Sequence, residues 1–222
     1  MPVNRVAIEP DLIAWAIDRS GIAVEVLETK FSKLGSWIRG ELQPTLKQVE
    51  QLAAATRTPF GYFFLPTPPE EHLPIPHFRT VADARPRRPS PDLIETLHLM
   101  QQRQAWMREH LIEEQEPPLP FAASTRIDAD TNIVATSIRD TLGLSSGWAA
   151  QHDAWESALR GLQSKIEGAG ILVVANGVVG NNNFRKLDVK EFRGFVLADE
   201  YAPLVFVNAA DAKAAQMFTL IH

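Results

Sequence analysis

Cysteine is absent from all 222 residues, which removes disulfides, thiolate zinc sites and thiol nucleophiles together. The gap suits a reducing compartment, and a cytoplasmic protein is the expectation. Long apolar runs are missing as well. No stretch approaches the roughly 20 residues of a membrane-spanning helix, so no membrane partner is expected. Residues 1–18 set Glu9 and Asp11 among their apolar side chains, with no basic lead-in before an apolar block, and no signal peptide is expected. Excess positive charge is also lacking. With 22 Lys and Arg against 27 Asp and Glu the net charge is −5, which excludes an overall nucleic-acid sponge and leaves room only for a small basic face. There is no phosphate loop, because Gly161, Gly168 and Gly170 lack both the spacing and the lysine, and nothing resembles a Ser-His-Asp set.

What is present is enough apolar residue, 45% of the chain, for a buried core in one or two domains. Proline marks the divisions. Pro66, Pro68, Pro69, Pro74 and Pro76 fix φ and remove backbone donors, so residues 66–90 read as a stiff linker between a domain at 1–65 and a second at 91–222. Its histidines, His72 and His77, read as solvated. A second break at Pro117, Pro118 and Pro120 marks a domain edge or a surface loop.

Between Pro10 and Leu65 the apolar residues recur at helical spacing in short pieces. Leu12, Ile13, Ala16 and Ile17 make one stripe, ended at Gly21; Val24, Leu27 and Phe31 make a second; Leu34, Trp37 and Ile38 a third, ended at Gly40. Thr45 caps a fourth, with Leu46, Val49, Leu52 and Ala53 inside. Compact helices joined by turns of a few residues are what a helix-turn-helix needs. A recognition helix would fall near residues 33–38, which makes Lys30, Lys33, Ser36 and Arg39 the candidate DNA contacts. Against that, Arg5, Arg19, Lys30, Lys33, Arg39, Lys47 and Arg57 are balanced by Glu9, Asp11, Asp18, Glu25, Glu28, Glu41 and Glu50, whereas phosphate contacts need local excess charge. A helical module kept for dimerisation or packing is an equal alternative.

Ser90 and Pro91 open a long helix over 91–116, with Leu93, Leu97, Met100, Met107 and Leu111 as an apolar stripe interrupted by Gln104. The stripe serves a core or a homodimer seam. His98 and His110 lack ligand partners at helical spacing. Residues 125–222 read as α then β: Ile133, Val134, Ile138 and Leu142 on one helix; Trp155, Ala158, Leu159, Leu162 and Ile166 on another; a strand over 171–175; a turn-rich stretch over 177–183; and a hairpin from Gly194–Asp199 and Leu204–Asn208. His152 has no carboxylate at ligand spacing, Asp153 and Glu156 are helix-start charges, and Asp188, Glu191 and Arg193 read as solvated. Ala214, Met217, Phe218 and Ile221 then place a last helix against the strands.

Three segments in the second domain carry a resemblance: Arg193-Gly194-Phe195, the run Pro203 to Asn208, and Gln216 to His222. Together they resemble the ImmA/IrrE family of bacterial metallopeptidase-like regulators, in which a Phe-Thr-Leu-x-His run opens an H-E-x-x-H helix. Trp37 to Leu46, Leu52-Ala53 and Pro59 to Leu65 similarly resemble XRE-type helix-turn-helix domains fused to such proteins. The resemblance implies an α+β fold: an N-terminal all-α helix-turn-helix bundle, then a mostly helical zincin-like domain with a small three-stranded sheet. It makes His222 the first zinc ligand, and implies that the hairpin, through Gly194, Phe195, Val205 and Val207, is a sheet edge that holds substrate by its main chain. Two histidines four apart on a helix grip one zinc while the intervening Glu handles the proton of bound water. The catalytic Glu and second His are not in these 222 residues, so the chain reads as cut within that helix, is expected to be inactive by itself, and should hold no zinc tightly. The longer parent would be a cytoplasmic zinc peptidase cutting a protein such as a repressor; the alternative is a DNA-binding regulator or antitoxin-like protein whose C-terminal domain senses or dimerises.

Overall fold

A computed structural model describes residues 4–71, 89–126 and 128–221, and the backbone of 78–79. The chain divides into two compact units, the first centred on residues up to 73 and the second on those from 92 onward. The expected linker, 66–90, is not one piece. Residues 66–71 belong to the first unit, Phe78 and Arg79 form a strand of the second, and 72–77 and 80–88, with His72 and His77, lie outside the described residues.

The first unit is all helical: α1 (Pro10–Ser20), α2 (Val24–Lys30), α3 (Leu34–Ile38), α4 (Leu46–Thr56) and a 3-10 turn, Phe60–Phe64. Pro10 starts α1 at a position where its missing N–H is not needed, and Gly21 stops it at φ 66, handing its N–H to Asp18 O. Thr45 and Gln48 close a reciprocal capping box on α4, each side chain accepting from the other's backbone N–H at 3.3 and 2.8 Å. Leu12, Ile13, Ala16 and Ile17 meet Leu27, Phe31, Leu34, Trp37, Leu52 and Phe63 in one core. Each such aliphatic side chain contributes about 1.5–3 kcal/mol when fully buried. Arg19 is also buried; its Nε donates to both carboxylate oxygens of Glu71 at 2.8 Å and its Nη1 to Arg57 O. That pairing draws the proline-rich segment back onto α1.

The second unit has α5 (Pro91–Glu113), α6 (Thr131–Thr141), α7 (Trp155–Gly168) and α8 (Lys213–Ile221), with β1 (Phe78–Arg79), β2 (Leu172–Asn176), β3 (Val178–Val179), β4 (Asn182–Lys186), β5 (Gly194–Leu197) and β6 (Leu204–Asn208). The main sheet has four strands in the order β1-β5-β6-β2, not the three expected. β1 is only two residues long, too short for alternation to mark it. β5 and β6 form the expected antiparallel pair, Gly194 opposite Val207 and Leu197 opposite Leu204, while β2 runs parallel to β6. The turn-rich stretch contains the separate β3–β4 hairpin.

Ala158, Leu159, Leu162 and Ile166 of α7 pack with Met217 of α8 and Val173 of β2 on one face of the sheet. Leu93, Leu97 and Met100 of α5 are buried, so the first half of its stripe is core rather than a dimer seam. Gln104 interrupts that stripe for a reason: its Nε2 donates to Leu197 O at 2.8 Å and Ala202 O at 3.0 Å, satisfying carbonyls at the β5–β6 connection. No helix among the described residues is long and apolar enough to cross a membrane.

Candidate functional site

The strand-to-helix junction at β6 and α8 is held by a set of hydrogen bonds made by buried side chains. Asn208 ends β6 fully buried; its Nδ2 donates to Phe192 O at 3.1 Å, its Oδ1 accepts from Ala210 N at 3.1 Å, and its own N–H donates to Arg193 O at 2.8 Å. Gln216, buried one turn into α8, reaches back with Nε2 to Asp211 O at 2.7 Å and Ala209 O at 3.2 Å. The turn is therefore held from both ends, and the direction in which α8 leaves the sheet is fixed. Arg193, expected to be solvated, instead lies with Nε 3.5 Å from Asp211 Oδ2, both atoms buried. Under the helix, Phe195 stacks on Phe206 at 4.9 Å between ring centres, and Gly194 lets Thr219 come down onto the strands.

This packing corrects the expected face of α8. Met217 is buried, but Ala214 is exposed, Phe218 is 58% exposed and Ile221 65%; the polar Gln216 takes an inward place instead. Phe218 and Ile221 face Val134, Ala135 and Ile138 of α6 across an open groove of about 680 Å³. α6 itself, capped by Asp130 accepting from Asn132 N and Ile133 N, buries none of its residues. His222, the residue after Ile221, lies outside the described residues.

Among the described residues no group of three His, Asp or Glu is placed to hold a metal. These residues alone do not make the zinc site that the resemblance implies. His152 rests edge-on against Trp148 and fills the notch at Gly161, where a Cβ would sit 2.8 Å from its ring. His110 stacks on Trp106 in the open, and His98 is exposed.

The hairpin is not an open edge. Val205 and Val207 lie on β6, flanked by β5 and β2, and Gly194 and Phe195 pair with Arg79 and Phe78 of β1. The expectation that these four residues line a free strand is corrected: a two-residue strand distant in sequence covers that side of β5. The ends of the sheet are β1 and β2.

In the first unit, α2 and α3 are joined by residues 31–33, and α3 is a single short helix whose Leu34 and Trp37 point into the core. Lys30 and Lys33 are exposed, Ser36 half-buried, and Lys30 lies 5.6 Å from the centre of the Phe31 ring. Arg39 is already paired, donating from Nε and Nη2 to Glu41 at 2.7 and 2.9 Å. The hydrogen bonds and charge of Glu41 hold the Arg39 guanidinium above its ordinary range, with Glu28 adding to it, and the same bonds from Arg39 hold Glu41 below the ordinary carboxylate range. A Cβ on Gly35 would lie 3.2 Å from Arg39 Nη1 and 3.4 Å from Glu28 Oε1, so the guanidinium crosses α3 between two acids. Sequence reasoning missed this because Arg39 and Glu41 are not at helical spacing; Gly40, at φ 72, turns the chain and brings Glu41 back.

Comparison with protein families, with curated proteins and with solved structures finds no match for this chain.

Proposed function

We propose that the second unit is the front part of a metallopeptidase-like domain of the ImmA/IrrE kind, carried behind a helix-turn-helix-type first unit, in a protein that acts on a protein partner such as a repressor. The observation that supports this reading most is the junction at α8. Gly194, Phe195, Asn208, Gln216 and Thr219, which carry the resemblance, converge on one place and fix how α8 leaves the sheet. A helix meant to present a ligand on its next turn needs such a rigid base, because metal geometry tolerates displacements of only a few tenths of an ångström. Zinc, when bound in a protein of this kind, supplies the Lewis acid; this chain's part is to hold α8 still and to line the groove beside it with Phe218, Ile221 and α6.

The test compares three proteins: this chain, a longer one continuing α8 through a glutamate after His222 and a histidine four positions on from it, and the longer one carrying His222→Ala. After dialysis against zinc and elemental analysis, the second is expected to hold one zinc per chain and the other two far less. Co-expressed with its partner, only the second should cut it. Cutting that survives His222→Ala, or zinc held equally by all three, overturns the reading.

A further inference from the structure

The main sheet ends on β2, and the outer edge of that strand opens into a second groove of about 830 Å³, walled by α5 and by the segment after it. In the parallel β2–β6 ladder Leu172 N–H donates to Pro203 O at 2.8 Å and Asn176 O accepts from Ala209 N at 3.0 Å. Residues of a parallel pair alternate in the side to which they turn their main-chain groups, so Val173 and Ala175 turn theirs away from β6. Among the described residues no strand lies beyond them. Val173 packs against the α7 cluster and also borders the groove.

The rest of the lining says what fits. Leu172 and Val174 form an apolar floor, Leu99 and Met107 an apolar wall, and Trp106 stands 65% exposed at the rim. A few charged side chains border the groove as well. Glu116 and Glu167 border it at the start of β2, where Gly170 meets Leu119, while Arg103 lies nearer Leu99, whose end approaches Gly180. An acyl chain would satisfy the apolar walls but offer no partner to the outward N–H and C=O groups, which it would part from water at a free-energy cost. An extended backbone satisfies both, and side chains of opposite charge at its two ends match the groove. We propose that this groove takes an extended apolar segment of a partner protein, added to the sheet alongside β2, with a basic residue at the Glu116–Glu167 end and an acidic one toward Arg103. The site is independent of the peptidase reading and lies at the opposite end of the sheet from β1.

The probe is a fluorescein-labelled synthetic peptide of alternating valine and threonine with lysine at one end and aspartate at the other, read by fluorescence polarisation against the intact chain. Saturable binding is expected, with a dissociation constant on the order of micromolar. Two further peptides carry N-methyl groups, one on the valine amides and one on the threonine amides. Because only alternate amides face β2, one of these should lose binding tenfold or more and the other should keep it. Ala175→Pro, which removes an outward N–H at an exposed edge position, should weaken the unmodified peptide comparably while circular dichroism stays unchanged. If that variant fails to fold, the pair of methylated peptides still decides the matter. Equal binding by both methylated peptides, or no binding up to millimolar concentration, overturns the proposal. So does a dimer in sedimentation that Trp106→Ser abolishes, because a second copy would then fill the groove.

Discussion

Gly194 and Thr219 occupy space that no side chain at position 194 can share: a Cβ there would lie 2.6 Å from Thr219 Cγ2 and 2.6 Å from Phe206 O. Glycine at this position is a condition for α8 to sit on β5 and β6 at its observed height. Gly194→Ala should therefore destabilise the second unit by about 1–3 kcal/mol, the range for overpacking a core. Urea unfolding measures it. Adding Thr219→Ser removes one of the two collisions and should recover part of the loss, whereas an undiminished loss in the double variant would place the strain wholly at Phe206 O.

Gln104 links α5 to the end of β5 and to the β5–β6 connection, its amide donating to Leu197 O and to Ala202 O. Gln104→Leu would extend the apolar stripe by pattern alone, yet it should cost about 1–3 kcal/mol because both hydrogen bonds from its amide are lost, the one to Ala202 O in the connection among them. A stability gain in thermal unfolding would mean that water replaces the amide at no cost.

Arg185 donates to Asp92 at 2.7 and 3.1 Å and also reaches Glu95 at 2.7 Å. Burial works against its charge, but its hydrogen bonds to Glu95 and Asp92 prevail and raise its pKa above the ordinary value. Arg185→Gln should loosen the β3–β4 hairpin from the start of α5, at a cost of about 1–2 kcal/mol. Hydrogen exchange at residues 178–186 should quicken first, with exchange in α7 unchanged.

Glu41 decides how much charge the α2–α3 surface can offer to a phosphate. Its carboxylate pKa is lowered by Arg39, so the pair's contribution is present above the ordinary carboxylate pKa of 4.5 and lost as pH falls through the lower folded value. An NMR titration of Glu41 should place its midpoint below that of an ordinary glutamate. In DNA binding at low salt, Glu41→Gln should free Arg39 and strengthen binding about fivefold, with a steeper salt dependence, while Lys30, Lys33 and Arg39 changed together to Ala should abolish it. An unchanged salt slope in Glu41→Gln would remove this face from DNA recognition.

Zinc provides the last check. With no three-ligand group among the described residues, the chain should retain well under one zinc per molecule after dialysis and elemental analysis. One firmly held zinc would mean that ligands come together which neither spacing nor the described geometry indicates.

The helices of the first unit, α7 and the β5–β6 pair were legible in the sequence because they are set locally. A 3.6-residue stripe such as Leu12, Ile13, Ala16 and Ile17, a capping box at Thr45 and Gln48, or a stop at Gly21 is written within a few positions of chain. The inward face of α8 was not legible. Apolarity favoured Phe218 and Ile221, but Gln216 goes in because two backbone carbonyls in the turn before the helix need its amide. Strand order was equally hidden: whether Val205 and Val207 lie at an edge depends on β1 and β2, which come from far along the chain and carry no local mark of their neighbours. The pairing that neutralises Arg39 belongs with these, since the turn at Gly40 and the approach of Glu28 across Gly35 exist only once α2 and α3 have packed. Local periodicity determined the elements; long-range contacts, which alone decide which main-chain and charged groups are left without partners, determined the surfaces on which function depends.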